Sequence, residues 1–363
     1  MESTTSTMDI LNGTDQPAPY SLAYGELIFG SVVMIIILIT GIIGNSMIIG
    51  SVILSKRLRT STNAFVVSLS CADLLTCLFL PWYVVAFLGR HGWALPKAEW
   101  LCGATGFMVF ACTGVSLYNL AAIAINRLVY LTQPFKYHDI YRPWVVAVMI
   151  ASAWLIPGGI MAILVICGVG GVGYETVDYP SCSDLDDVTG ADAFNLAQTV
   201  VGLPIPLITI IVCYVLIYNH IRRHFGRKKA REAELMEYQT DVVADHDAES
   251  GGGAKKRAKD NLAKISEQEL QITKNLFIVV CAFFLCFLVF FAANVVPNSG
   301  HFVFYAALPT FANSAVNFFI YASRHPQFKV VLWCMITCRY ADIPEPSDTL
   351  RALRNCAGGG GRF

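Results

Sequence analysis

The chain has 363 residues, 55% of them hydrophobic and only 14% charged, with a mean hydropathy of +0.55. Soluble domains carry about 25% charged residues, so these figures exclude a soluble globular domain, and with it a disordered chain, a fibre and a disulfide-rich secreted scaffold. Basic and acidic residues balance at 26 each, which leaves no global field to attract nucleic acid, and the expected partner is a lipid bilayer.

A hydrocarbon core of about 30 Å takes about 20 apolar residues as a helix. Residues 1–26 form a polar N-terminal segment without Lys or Arg. Stretches poor in charge then follow at Leu27 to Ser55, Thr60 to Gly89 (interrupted by Asp73), Leu101 to Asn126, Pro143 to Tyr174, and Ala193 to His220. From Asn275 to Ser323 no charge occurs, too long a stretch for one helix. Pro297, Asn298, Ser299 and Gly300 place a turn in its middle. The expected fold is all-α, a bundle of seven transmembrane helices over 27–324. Beyond it, Phe328, Val330, Val331, Leu332 and Trp333 predict a short amphipathic eighth helix at the start of the tail, 325–363.

On one side of these spans only Arg90 and Lys97 are basic, whereas Lys56, Arg57, Arg59, Arg127, Lys136, Arg142 and the 222–274 stretch gather on the other. Basic loops stay in the cytoplasm, so the amino terminus is expected outside, in the plasma membrane. No basic region precedes the first span, which is expected to insert as its own anchor rather than as a cleaved signal. Asn12, followed by Gly13 and Thr14, is then a glycosylation candidate on the outer face. The long inner loop, 222–269, carries basic clusters around an acidic middle and reads as a solvated, partly disordered segment or as a docking surface.

An ionisable residue within a span is a functional candidate, and Asp73 lies mid-helix among apolar neighbours. Asn45, Ser116, Asn313 and Asn317 fall at matching depth, the last two on one helix face. A carboxylate among neutral oxygens suits a hard cation such as sodium; the other reading is a protonated Asp73 bonded to a neighbour. No other cofactor is expected. Cys102 and Cys182 both fall on the oxidising side and could staple the second outer loop to the third helix. Cys334 and Cys338, beside the last span, are palmitoylation candidates.

In order along the chain, Gly44-Asn45, Leu69 to Leu74 (LSCADL), Trp93, Cys102 with Cys182, Asn126-Arg127-Leu128, Trp154, Pro206 with Tyr214, Phe283 with Cys286-Phe287, and Asn317 to Tyr321 (NFFIY) resemble the motifs of rhodopsin-like (class A) G-protein-coupled receptors. The stretches Ala124 to Tyr141 and Asn63 to Leu69 are similar to melatonin receptors and their invertebrate relatives. The resemblance implies a receptor that binds an extracellular ligand and activates a heterotrimeric G protein. It also implies that Cys102 and Cys182 form the family disulfide, and that Asp73 is the sodium-site aspartate. Asn126, Arg127, Glu269, Tyr214, Tyr321 and Asn317 would be the coupling machinery, with Glu269 the partner of Arg127 in the resting state. Phe107, Val109, Phe110, Phe287 and Phe311 would line the ligand pocket, which favours a neutral or amphipathic small molecule, or a peptide drawn by the acidic outer loop (Glu175, Asp178, Asp184, Asp186, Asp187).

Several positions depart from the pattern. Asn126 replaces the acid beside Arg127, which implies raised basal activity. Phe287 replaces a tryptophan, and Val289 and Phe318 replace prolines, which implies straighter sixth and seventh helices unless Pro309 bends the latter. Val109 stands where amine receptors carry an aspartate, and Phe311 where opsins carry the retinal lysine, so neither of those contacts is available. The rival readings are a seven-helix transporter or channel and a non-signalling decoy receptor. A transporter needs several embedded ionisable groups or an internal repeat, and Asp73 stands alone. An intramembrane enzyme would need a paired catalytic constellation, absent from the sequence.

Overall fold

The computed structural model describes residues 22–89, 92–176, 179–185, 188–202, 204–242, 252–296 and 300–352. Among them seven helices are long and apolar enough to cross a bilayer. They belong to α1 (Tyr24–Leu54), α2 (Ser61–Leu88), α3 (Glu99–Thr132), α5 (Pro143–Ile166), α7 (Pro204–Val242), α8 (Gly252–Val295) and α9 (Gly300–Arg324). The described residues also form three further α-helices: α4 (Pro134–Ile140), α6 (Ala191–Gly202) and the predicted amphipathic α10 (Pro326–Ile336). A hairpin of β1 (Val172–Glu175) and β2 (Ser181–Asp184) lies between α5 and α6, with Tyr174 opposite Cys182.

The sequence boundaries shift for local reasons. The fourth span ends at Ile166, and Tyr174, charge-free but in a glycine-rich run, belongs to the hairpin. The expected fifth span, Ala193 to His220, falls on α6 up to Gly202 and α7 from Pro204, and residue 203 between them lies outside the described residues. The inner loop 222–269 is largely helical, because α7 runs on to Val242 and α8 begins at Gly252. Both apolar cores drive the spans, but the polar extensions keep helical periodicity from Ala, Glu, Lys and Arg. The turn predicted at Pro297 to Ser299, Asn12 and the end of the tail lie outside the described residues. Helix α9 runs unbroken past Pro309.

Helix α3 is the axis of the bundle and packs against α2, α5, α7, α8 and the hairpin. Small residues allow the close approaches. A Cβ on Gly106 would come within 2.9 Å of the Cys182 carbonyl, and one on Gly44 within 2.6 Å of Phe318. The latter shows how α1 and α9 meet at the position where the seventh-helix proline is replaced. The disulfide Cys102–Cys182 fixes β2 onto the outer end of α3.

At the inner end the chain makes a closure that no local pattern announces. After α10 it doubles back and pairs with the turn after α1. Ser347 donates its N–H to the Leu54 carbonyl at 2.9 Å and the Lys56 N–H donates to Glu345 at 2.8 Å. The Ser55 hydroxyl donates to the Pro344 carbonyl at 2.7 Å, and Lys56 bonds Asp348 at 2.8 Å. Ile343 and Leu350 are 3% and 4% exposed and join the core cluster of Ile48 and Leu58. The hydrogen bond and charge of Lys56 hold the Asp348 carboxyl below the usual carboxylate range. Truncating the buried anchor as Leu350→Ala should loosen this strap. Each net hydrogen bond is worth about 1 kcal/mol, so amide exchange at Lys56 should quicken several-fold while exchange in α3 stays unchanged; equal protection at Lys56 in the variant would refute the pairing.

Candidate functional site

The centre of the bundle holds Asp73 on α2, 1% exposed. A buried carboxylate needs donors, and it has them from two neighbouring helices. Ser116 of α3 donates to Oδ1 at 3.3 Å, Asn317 of α9 donates to Oδ2 at 2.7 Å, and the Ser314 hydroxyl also bonds it. Asn313, 4% exposed, has a buried Oδ1 with no hydrogen-bond partner. The structure thus brings together Asp73, Ser116, Asn313 and Asn317. The Asn45 amide donates to the carbonyls of Gly41 and Ser314 at 2.9 and 2.8 Å, which ties α1 to α9, and its Oδ1 is buried without a hydrogen-bond partner.

A cavity of about 510 Å³ reaches from Asp73, Ser116 and Asn313 outward to the hairpin residues Glu175, Tyr179 and Asp184. Of the predicted pocket residues, Val109, Phe110, Phe287 and Phe311 line it. Phe107 does not: it packs in the cluster of Ala111, Met161 and Phe194 against α5 and α6, which Phe110 also touches. Sequence reasoning missed Tyr83, Tyr179, Phe283 and Phe290, all of which line the cavity. The disulfide carries two acids of the outer loop, Glu175 and Asp184, over the mouth of the cavity. The signal was present in the spacing, because a residue two positions from Cys182 cannot leave the outer end of α3. Asp178, Asp186 and Asp187 lie outside the described residues.

Phe283 connects this cavity to the inner half. Its ring stacks on Phe287 at 4.5 Å, it lines the cavity, and it is 1% exposed within the cluster that holds Leu276, Val279 and Tyr321. Deeper still is Arg127 of α3, 6% exposed, its guanidinium carbon 5.6 Å from the Tyr130 ring centroid. The hydroxyls of Tyr214 and Tyr321 are buried without a hydrogen-bond partner. Glu269 lies within α8, but its side chain lies outside the described residues, so the expected contact with Arg127 does too.

Asn126 turns out to be a connector. Thr62 of α2 donates to its Oδ1 at 2.5 Å, and its Nδ2 donates to the Tyr137 hydroxyl of α4 at 3.0 Å. Tyr137 in turn stacks on Tyr141 at 5.0 Å. The two bonds tie α2 and α4 to α3 through a neutral amide and so dock α4 against the bundle. Among the palmitoylation candidates, Cys334 is corrected: at 7% exposure it faces the core, since it shares a helix face with Val331, while Cys338 is exposed. Trp93 and Trp154 hold their expected places, donating to Ala98 and Ser68 at 3.2 and 3.0 Å.

Residues 44–322 match the family described as 7 transmembrane receptor (rhodopsin family). The chain is 26% identical to the G-protein coupled receptor moody of Drosophila pseudoobscura pseudoobscura, over 93% of this chain and 57% of that protein. It is 31% identical to the human melatonin receptor type 1B over 55% of this chain and 53% of that receptor. The chain therefore spans about half the length of these curated relatives. In three dimensions it is similar to squid rhodopsin, with a TM-score of 0.69 at 19% identity, covering 89% of this chain and 84% of that one; this likeness speaks for the fold.

His325, between α9 and α10, supplies a pH test. Its Nδ1 accepts the Phe328 N–H at 3.4 Å, which requires a neutral ring. Burial, then the charge of Arg127, hold its pKa down at about 3 against an ordinary 6.5. The unfolded chain binds a proton below 6.5 that the folded chain refuses, so the stability from this group is complete above about 6.5 and drains away as pH falls toward 3. Between pH 7 and 5 the loss is about 2 kcal/mol. His325→Asn, which caps without titrating, should lower the thermal midpoint less over that interval; an unchanged pH slope would show that another group governs it.

Proposed function

We propose, from the premise that the chain belongs to the rhodopsin family of seven-transmembrane receptors, that it is a plasma-membrane receptor with its amino terminus outside. It would take an extracellular small molecule into the central cavity and activate a heterotrimeric G protein at the inner face. The observation that carries this reading is Phe283, shared by the cavity wall and by the core around the inner end of α3. A ligand that moves the Phe283–Phe287 stack moves α8, because a close-packed core repacks between discrete arrangements rather than deforming smoothly.

Each inner residue then has a role. Outward swing of α8 would uncover Arg127, a five-donor fork suited to the carbonyls of an entering peptide. Tyr214 and Tyr321, their hydroxyls unsatisfied in the closed form, gain a partner when the cavity between them opens, which lowers the cost of opening. Glu269 would hold Arg127 in the resting form. Asn126 keeps α4 docked as part of the G-protein surface and lends Arg127 no charge, so basal signalling should exceed that of Asn126→Asp. The ligand acts through its differential affinity for the two arrangements.

Asp73, Ser116, Asn313, Asn317 and Ser314 fit a monovalent hard cation. One carboxylate, neutral oxygens and the unsatisfied Asn313 Oδ1 match what sodium needs to replace its hydration shell. When bound, the ion would supply positive charge beside Asp73 and favour the closed arrangement.

Two measurements test the reading. With energy-transfer sensors for each G-protein class and no ligand, wild type and Glu269→Ala should raise the signal for one class, with Arg127→Ala losing most of it at equal surface expression; silence in all three would turn the assignment toward a non-signalling receptor. For the cation, replacing N-methylglucamine chloride by sodium chloride should raise the thermal midpoint of wild type and leave that of Asp73→Asn unmoved, whereas an equal response in both removes the sodium assignment.

A further inference from the structure

The inner end of α9 offers an acceptor that its own helix cannot use. The last carbonyls of a helix have no intrahelical donor and lie at the negative end of its dipole. At this end the Lys329 N–H of α10 donates to the His325 carbonyl at 2.9 Å, whereas the carbonyl of Arg324, the last residue of α9, takes a donor from another span. The Asn275 side-chain amide of α8 donates to it at 2.6 Å, across 49 positions of the chain. Asn275 is 5% exposed. It lies on the buried inner stripe of α8 with Ile272, Leu276, Val279 and Phe283, all members of the inner core.

The two ends of this bond belong to parts with different freedom. Helix α9 is tied down: Asn317 bonds Asp73 at 2.7 Å, the Asn45 amide of α1 donates to the Ser314 carbonyl at 2.8 Å, and α10 follows with Phe328, Val331 and Leu332 at 1% exposure or less. The inner stripe of α8 meets that core through apolar side chains, which slide without losing all their contact. A hydrogen bond is lost beyond about 3.5 Å, so an outward swing of α8 breaks the Asn275 bond in its first steps.

We infer that Asn275 and the Arg324 carbonyl form a neutral latch that holds the inner end of α8 closed, and that its loss favours the signalling arrangement. This rests on the receptor reading above and names a residue that sets its resting balance. Neither group titrates, so the latch acts independently of pH and of any charge contact at Arg127. Opening turns both groups toward the inner crevice, where water or an entering peptide satisfies them. The latch therefore tunes the equilibrium between the two arrangements rather than forbidding one of them.

The test uses the full chain in nanodiscs without ligand. Asn275→Leu keeps the side-chain volume and removes the donor, whereas Asn275→Gln keeps the donor. Spin labels on non-natural amino acids at the exposed Lys274 of α8 and Lys329 of α10 report the separation of the inner ends directly. Asn275→Leu should enlarge the long-distance population about fivefold, the weight of one net hydrogen bond, with Asn275→Gln close to wild type. Ligand-free G-protein signalling at equal surface expression should rise in the same variant by the same factor. The latch is overturned if Asn275→Leu keeps the wild-type distances, or if Asn275→Gln shifts them as much, which would assign the effect to packing. Longer distances in Asn275→Leu with no G-protein signal in any variant uphold the latch and refute the receptor reading.

Discussion

A carboxylate buried at the centre of an apolar bundle is the constraint from which the rest of this structure follows. Asp73 is 1% exposed on α2, and leaving it without partners would cost several kcal/mol. Its donors come from α3 and α9, so three helices must meet at one depth and in one rotation. The neighbouring polar groups extend that registration: Asn45 joins α1 to α9 through the Ser314 carbonyl, and Trp154 joins α5 to α2 through Ser68. In a membrane, where apolar packing against lipid is nearly as good as packing against protein, such polar contacts are what select one arrangement of helices.

The same site divides the molecule into two halves with different jobs. Outward, the helices separate around a cavity that the Cys102–Cys182 tie roofs with a hairpin. Inward, they close around Arg127, Tyr321 and Phe283. Phe283 belongs to both halves, which makes the sixth span the natural moving part.

The inner surface is unusually well tied. Asn126 couples α2, α3 and α4 through neutral hydrogen bonds, and the 343–350 strap couples α1, α10 and the first inner turn. Both devices use local polar pairing plus a buried apolar anchor, and both border the face at which a cytoplasmic partner would dock. An acid at Asn126 would add a charge beside Arg127 while still accepting from the Thr62 and Tyr137 hydroxyls.

Much of this was legible along the chain. Hydropathy set the seven spans, because the bilayer imposes length and polarity on every segment that crosses it. Single polar residues in apolar runs pointed to Asp73, Ser116 and Asn317, and the ordered motifs pointed to Arg127 and to the cysteine pair. What the sequence could not determine was which face each residue turns to its neighbours. Helix rotation, at about 100° per residue, puts Phe107 against α5 and α6 while Phe110, three residues on, also reaches the cavity, and it turns Cys334 inward and the Asn45 amide toward the Ser314 carbonyl. The placement of Glu175 and Asp184 at the cavity mouth, and the pairing of the tail with the turn after α1, join residues far apart in the chain. Only the tertiary structure decided them, since they depend on helix rotations and long-range closures that no local propensity encodes.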